Sequence, residues 1–213
     1  MSSSNLLDLQ FEATPGNYQR FSARKKSTLF QKISTEVIER FHNSCAYCGI
    51  SLAPEEFEIV NINHNYTDNH KKNFAPACRL CTQSLLMDQY STNYDGNDRM
   101  IYFPTMTQPQ LNNFYRALWY HIKNKTKDAA FKSKELFAEL TDASKTLNQV
   151  VGTELSHPGV FVHYLYGRSS DRQLLKKIRW LPGLDRIEQL LDDIPPPESN
   201  NPPQEQQQSN NNE

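Results

Sequence analysis

Several things are missing from this chain, and each absence closes off a class of function. Net charge is nearly nil, with 23 lysines and arginines against 24 acids. A domain that grips nucleic acid by its phosphates normally carries a strong basic surplus, so no nucleic-acid ligand is expected. No apolar run reaches the length of about eighteen residues that a membrane span needs, so no direct membrane insertion is expected. The first residues lack a basic patch followed by an apolar core, so no secretory signal is read there. No internal repeat is visible beyond one short cysteine spacing. From Pro195 onward there is no large apolar side chain, so nothing offsets the entropy of ordering and residues 195–213 are expected to be a disordered tail.

Cysteine is also scarce, and its four copies are placed to one purpose. Cys45-Ala-Tyr-Cys48 and Cys78-Arg-Leu-Cys81 are two C-x2-C pairs separated by a long gap. Two residues between cysteines let one tight turn aim both sulfurs at a single ion, and two such pairs complete a tetrahedral thiolate shell with no open position. The expectation is one structural Zn2+ held by Cys45, Cys48, Cys78 and Cys81. Gly49 stands where a knuckle turn needs positive φ. The second pair runs into a helix, whose N-terminus favours thiolates. Two disulfides are the weaker alternative, because a bridge within one C-x2-C closes too short a loop to constrain the unfolded chain. A thioredoxin-like redox site would need only one pair. Thiol ligands without an export signal fit a reducing cytosol.

Around this centre the fold class is expected to be α+β. Residues 1–20 read as an irregular arm with a turn at Pro15-Gly16. Residues 21–104 read as the zinc module. Within it Phe30, Ile33, Val37 and Phe41 recur at helical spacing, with Ser34 or Thr35 as cap, and Arg24, Lys25 and Lys26 read as a solvated basic loop. Residues 57–63 alternate as a strand, 65–73 as a polar loop. A short strand is expected near Ile101. Residues 105–194 read as a helical region. Thr107 caps a first amphipathic helix with Pro109 in its first turn and Leu111, Phe114, Tyr115, Leu118, Trp119 and Ile122 on one face. A second helix covers 128–151, capped by Asp128 and stopped by Gly152, with Leu136, Leu140, Ala143, Leu147 and Val150 on its stripe. Short helices follow at 160–166, 171–181 and 184–191. The cations Arg168, Arg172, Lys176, Lys177 and Arg179 are expected on an exposed helix face.

A knuckle, a strand and a ligand-bearing helix in that order make a treble clef, and this one resembles the HNH endonuclease superfamily. The resemblance implies a His pair on the strand, an Asn before the second cysteine pair, and a His on the last helix. Here Val60 and Asn61 hold the His positions, Asn73-Phe74 matches the Asn position, and Leu86 stands where the last His belongs. Neither Val nor Asn can take a proton near neutral pH, so no enzyme is expected. His64 and His70 lie beyond the strand and are poor substitutes, since small misplacements of a general base are costly. His42, His121 and His163 read as packed or surface residues. A metal-dependent endonuclease with a rearranged site remains the rival function, and a non-catalytic zinc-dependent DNA binder a third.

The whole assembly resembles the IcmJ/DotN family of Dot/Icm type IVB secretion components. Cys45-Ala-Tyr-Cys48-Gly49, Asn73-Phe-Ala-Pro-Ala-Cys78-Arg-Leu-Cys81 and Phe114-Tyr-Arg-Ala-Leu-Trp119 carry it. The resemblance implies a non-catalytic adaptor of the type IV coupling complex at the cytosolic face of the inner membrane. It implies binding to the C-terminal region of the coupling ATPase DotL beside IcmS, IcmW and LvgA, and help in presenting effector substrates. The aromatics Tyr102, Phe103, Tyr115, Trp119 and Tyr120 suggest a groove for a partner segment between the two parts, or else simply core.

Overall fold

The amphipathic helix expected after Thr107 ends up packed on the segments that carry the two cysteine pairs. The computed structural model describes residues 6–91, 93–124, 126–151, 154–167 and 171–191. The expected stop at Gly152, Arg168 of the basic cluster and the tail at 195–213 lie outside these.

Residues 6–13 run irregularly, as expected of an arm. They are stitched down at both ends: Leu7 N–H donates to Ala46 (2.8 Å), and Glu12 exchanges backbone bonds with Ser84 and Met87 (3.1 and 2.9 Å). Gly16, at φ 85°, turns the arm into α1 (Asn17–Arg24). A second helix, α2 (Thr28–Arg40), follows after Ser27. Ser34 and Thr35 are therefore not caps. They sit inside α2, and their hydroxyls bond back to the carbonyls of Phe30 and Gln31, which removes their reason to start a helix. Phe30, Val37 and Ile38 are the residues α2 buries.

The strand expected at 57–63 is β1 (Phe57–Asn61), and it has a partner that local pattern concealed. β2 (Phe74–Cys78) pairs antiparallel to it, with Ile59 opposite Pro76. A proline inside a short run argues against a strand, but among the described residues this sheet has two strands only, so Pro76 needs no N–H for a second neighbour. The carbonyl of Pro76 instead accepts from Ala46 N–H at 2.9 Å, tying the first cysteine knuckle to β2. α3 (Arg79–Leu85) starts directly at the second cysteine pair.

The remainder is organised on a second small sheet. β3 (Arg99–Tyr102) is followed by α4 (Gln108–Asn124), α5 (Lys127–Val151), α6 (Pro158–Tyr166), α7 (Arg172–Leu175), β4 (Ile178–Leu181) and α8 (Leu184–Leu191). Thr107 caps α4 as expected: its hydroxyl accepts from Gln110 N–H while the Gln110 side chain accepts from Thr107 N–H, a reciprocal capping box. The helix expected over 171–181 is only one turn long. Leu174, Leu175, Ile178 and Leu181 do have helical spacing, but 178–181 pairs with β3, Met100 opposite Trp180, and all four residues of β4 are buried. Asp171, not a residue further along, caps the remaining turn through Gln173 and Leu174 N–H.

Two further corrections concern α5. Thr126, rather than Asp128, accepts the free N–H of Ala129. The buried side chains are Ser133, Phe137 and Leu147, while Leu136 and Val150 of the expected stripe are 44% and 59% exposed. α5 lies against β3, β4 and α4 at once, and that three-sided seat selects which flank is covered. α4 also packs on α3 and α8, which brings the helices to the cysteine pairs.

Candidate metal centre

Three elements deliver the four sulfurs. α2 ends at Phe41, and the left-handed residues His42 and Asn43 (φ 54° and 52°) swing the chain into the first knuckle. There Gly49 N–H donates to the Cys45 carbonyl (2.9 Å) and Cys45 N–H to the Ile50 carbonyl (2.8 Å), with Gly49 at φ 75°. A Cβ on Gly49 would meet nothing closer than 3.6 Å, so glycine is needed for its backbone angle and not for space. β2 brings Cys78 to the N-cap of α3, and Cys81 lies in that helix's first turn. Gathering four residues from two distant segments, the fold places their sulfurs within 4.8 Å of one another, all four buried. Among the described residues this is the one cluster of ligating side chains with that geometry.

The spacing distinguishes between the chemistries weighed from sequence. All four cysteines are free. The Cys48 and Cys78 sulfurs are 3.7 Å apart, far beyond a disulfide bond. An edge of a zinc tetrahedron with bonds of about 2.3 Å is about 3.8 Å, so this separation fits a shared dication. Electrostatics agrees. At Cys78 burial opposes ionisation, yet the hydrogen bonds from Cys45, Cys48 and Cys81 outweigh it and hold the thiol well below its ordinary range. Cys81 and Cys48 are pushed up, chiefly by bonds with their sibling sulfurs. Four thiolates at this distance need a cation among them.

Residues that sequence reasoning passed over complete the surroundings. Cys78 N–H donates to the Cys45 sulfur (3.3 Å). From α4, the Asn112 amide donates to the Cys81 sulfur (3.4 Å) and Asn113 to the Cys48 carbonyl (3.5 Å). Arg116, one turn further, is 8% exposed, and none of its three guanidinium nitrogens has an oxygen or nitrogen acceptor. Burial lowers its proton affinity, but the sulfurs of Cys78, Cys48 and Cys81 outweigh burial, and the net shift is upward. The polar residues Asn112 and Arg116 on the otherwise apolar face of α4 were the available signal.

The strand on which a catalytic pair was sought is filled. Val60 is fully buried. Asn61 is equally buried, and its amide is spent on the carbonyls of Asn65 and Asp68 (2.8 and 2.7 Å), while its oxygen accepts from the Arg24 guanidinium. Arg24 also donates to the Ile59 carbonyl (2.5 Å), and its guanidinium carbon lies 4.7–5.8 Å from the ring centres of Phe30, Tyr66, Phe74 and Phe21. Burial lowers its pKa to about 10. Arg24 is therefore no solvated loop residue, which corrects the expectation for the basic run. Leu86 is buried at the end of α3. Asn73 pins the loop between the strands through Asn63 and Asp68. His64 has a carboxylate neighbour after all, Glu12 of the arm at 3.9 Å, whereas His42, His70, His121 and His163 are exposed. His157 caps α6 through Nδ1 and meets the Tyr94 carbonyl through Nε2.

Two other expectations change. Arg179 is buried in β4, donating from Nε to the Met106 carbonyl, and so does not lie on an exposed helix face. Of the five aromatics near the boundary, Tyr115 is fully buried and Tyr102, Phe103, Trp119 and Tyr120 are partly so. No described helix is long and apolar enough to cross a membrane.

No family model matches the chain. Over 192 residues it is 27% identical to the type 4 apparatus protein DotN of Legionella pneumophila, a match that takes in 87% of this chain and 88% of the relative.

Proposed function

We infer that this chain, a homologue of the type 4 apparatus protein DotN (IcmJ) of Legionella, is a non-catalytic structural or adaptor subunit of a type IV secretion apparatus. The observation that carries the reading is the length of the similarity, which is too great to leave out either the cysteine cluster or the helices after it. In its finer form the reading makes the chain part of the coupling complex on the cytosolic face of the inner membrane. It binds the C-terminal region of the coupling ATPase DotL alongside IcmS, IcmW and LvgA and helps present effector substrates.

Cys45, Cys48, Cys78 and Cys81 hold one structural Zn2+ in this reading, and residues 21–104 are an HNH-like treble clef joined to the helical part at 105–194. The ion supplies a cross-link between two turns far apart in sequence, in a site with no position left for substrate. The absence of catalysis is supported at the strand: Val60 cannot titrate, and the side chain of Asn61 is committed to its own loop and to Arg24.

The test is co-purification of the tagged full chain with the C-terminal region of DotL, with and without IcmS, IcmW and LvgA, alongside metal analysis by mass spectrometry. A stable complex and one zinc per chain are expected; no association in any combination would remove the adaptor reading. Incubation with plasmid DNA and Mg2+, Mn2+ or Ni2+ tests the rival. Nicking that vanishes in His64→Ala would establish the endonuclease in its place.

A further inference from the structure

Arg116 poses a question of charge. An isolated buried cation is among the most costly groups a protein can hold, and it is tolerated where an anion or a set of acceptors compensates it. Arg116 is buried, finds no oxygen or nitrogen acceptor for Nε, Nη1 or Nη2, and pairs with no carboxylate among the described residues, which leaves the Cys78 sulfur as the side chain that engages it. The groups that act on it most strongly in its favour are the sulfurs of Cys78, Cys48 and Cys81. Four thiolates around one dication leave a net double negative charge, which a neighbouring guanidinium offsets in part. Arg116 also shares α4 with Asn112 and Asn113, which donate to the Cys81 sulfur and the Cys48 carbonyl. One helix face therefore presents three donor-bearing side chains to the cluster.

We propose that Arg116 is the counter-cation of the metal-loaded cysteine cluster, a positioning residue that favours metal retention and makes the seating of α4 depend on metal loading. The inference rests on the metal centre proposed above. It has a thermodynamic signature that a merely structural arginine lacks. In the loaded protein the guanidinium faces a dianion. Metal binding releases protons from its thiol ligands, so in the metal-free protein protons can take the dication's place and Arg116 is closer to an uncompensated buried charge. Removing that charge therefore weakens the loaded form more than the metal-free form.

The experiment uses the full chain as wild type, Arg116→Met and Arg116→Lys. Zinc content is measured first, then zinc affinity by chelator competition, then melting with and without a saturating chelator. Arg116→Met is expected to lose about ten- to a hundredfold in zinc affinity, the range for a removed outer partner of a metal site. Arg116→Lys, which keeps the charge, is expected to recover most of it. The melting difference between loaded and metal-free protein should shrink in Arg116→Met. Unchanged affinity in Arg116→Met, or equal lowering of both melting temperatures, would overturn the proposal while leaving the metal centre standing. If Arg116→Met does not fold, Arg116→Lys decides: affinity near wild type supports charge compensation, and a loss of tenfold or more overturns it. A wild type without metal would fail one step earlier, at the metal centre itself.

Discussion

Individual side chains in this molecule are governed by what burial does to charge. Arg24 is the clearest case. Its guanidinium sits among four aromatic rings and donates to Asn61 and Ile59, so it fastens α1 and α2 to β1. Arg24→Ala should lower stability by on the order of 2 kcal/mol, since charged hydrogen bonds to buried acceptors are lost together. Arg24→Lys should recover only part, because an ammonium cannot span both acceptors in one plane. Urea denaturation of the three proteins measures both. Asp88 shows the opposite sign of effect. Its carboxylate accepts from Tyr18 N–H at the start of α1 (2.8 Å), but burial outweighs that bond and raises its pKa above the ordinary value of 3.8. A carboxyl with a raised folded value binds its proton more tightly folded than unfolded. Its favourable contribution is complete below the unfolded value and is lost as pH rises through the folded one. Asp88→Asn keeps an oxygen for Tyr18 and should therefore be more stable than wild type at neutral pH, with the gap closing toward about pH 4. Urea midpoints across that range check the sign; a gap that widens in acid would contradict it.

At the level of elements, the small β3–β4 sheet depends on a side chain from a helix. One edge of β4 pairs with β3. On the other, the Gln108 amide accepts from Trp180 N–H (2.8 Å) and donates to the Trp180 carbonyl (3.0 Å), doing what a third strand would do. Gln108→Leu preserves volume approximately and strands the buried Trp180 N–H, while the Trp180 carbonyl keeps the Tyr115 hydroxyl at 3.5 Å, at a cost of about 2 kcal/mol. Thermal melting compared with Gln31→Leu, at an exposed position of α2, would isolate the effect. Gln108 and the phase of α5 were both illegible locally. In α5 apolar residues occupy more of the circumference than one stripe, with Phe131, Leu136 and Val150 exposed, so periodicity marks a helix but does not say which flank is covered. By contrast, the helix expected over 171–181 fails for a different reason. Helical spacing there coincides with a strand whose partner lies some eighty residues earlier, and ladder pairing overrides a local period.

For the molecule as a whole, the cysteine cluster is the point where the arm, the first knuckle, the hairpin, α3 and α4 meet. If it holds zinc as proposed, chelation should do more than empty a site. Metal binding in such modules contributes on the order of 10 kcal/mol to folding, so a strong chelator, or any one of Cys45→Ser, Cys48→Ser, Cys78→Ser and Cys81→Ser, should bring the melting midpoint seen by circular dichroism far below that of the loaded protein. A melt unchanged by chelation and by all four substitutions would refute this.

The cysteine pairs, the glycine that turns the first of them and the capped helix at Thr107 were all legible from residue order. Each depends on contacts between positions a few residues apart, which spacing encodes directly. Only the tertiary structure decided that β2 accompanies β1, that β4 closes on β3, that Arg24 bonds Asn61, and that Arg116 is buried one turn along α4 from the amide that reaches the Cys81 sulfur. A strand's partner and a buried charge's compensation are supplied by distant segments, and no local pattern carries the identity of a neighbour that folding alone brings near.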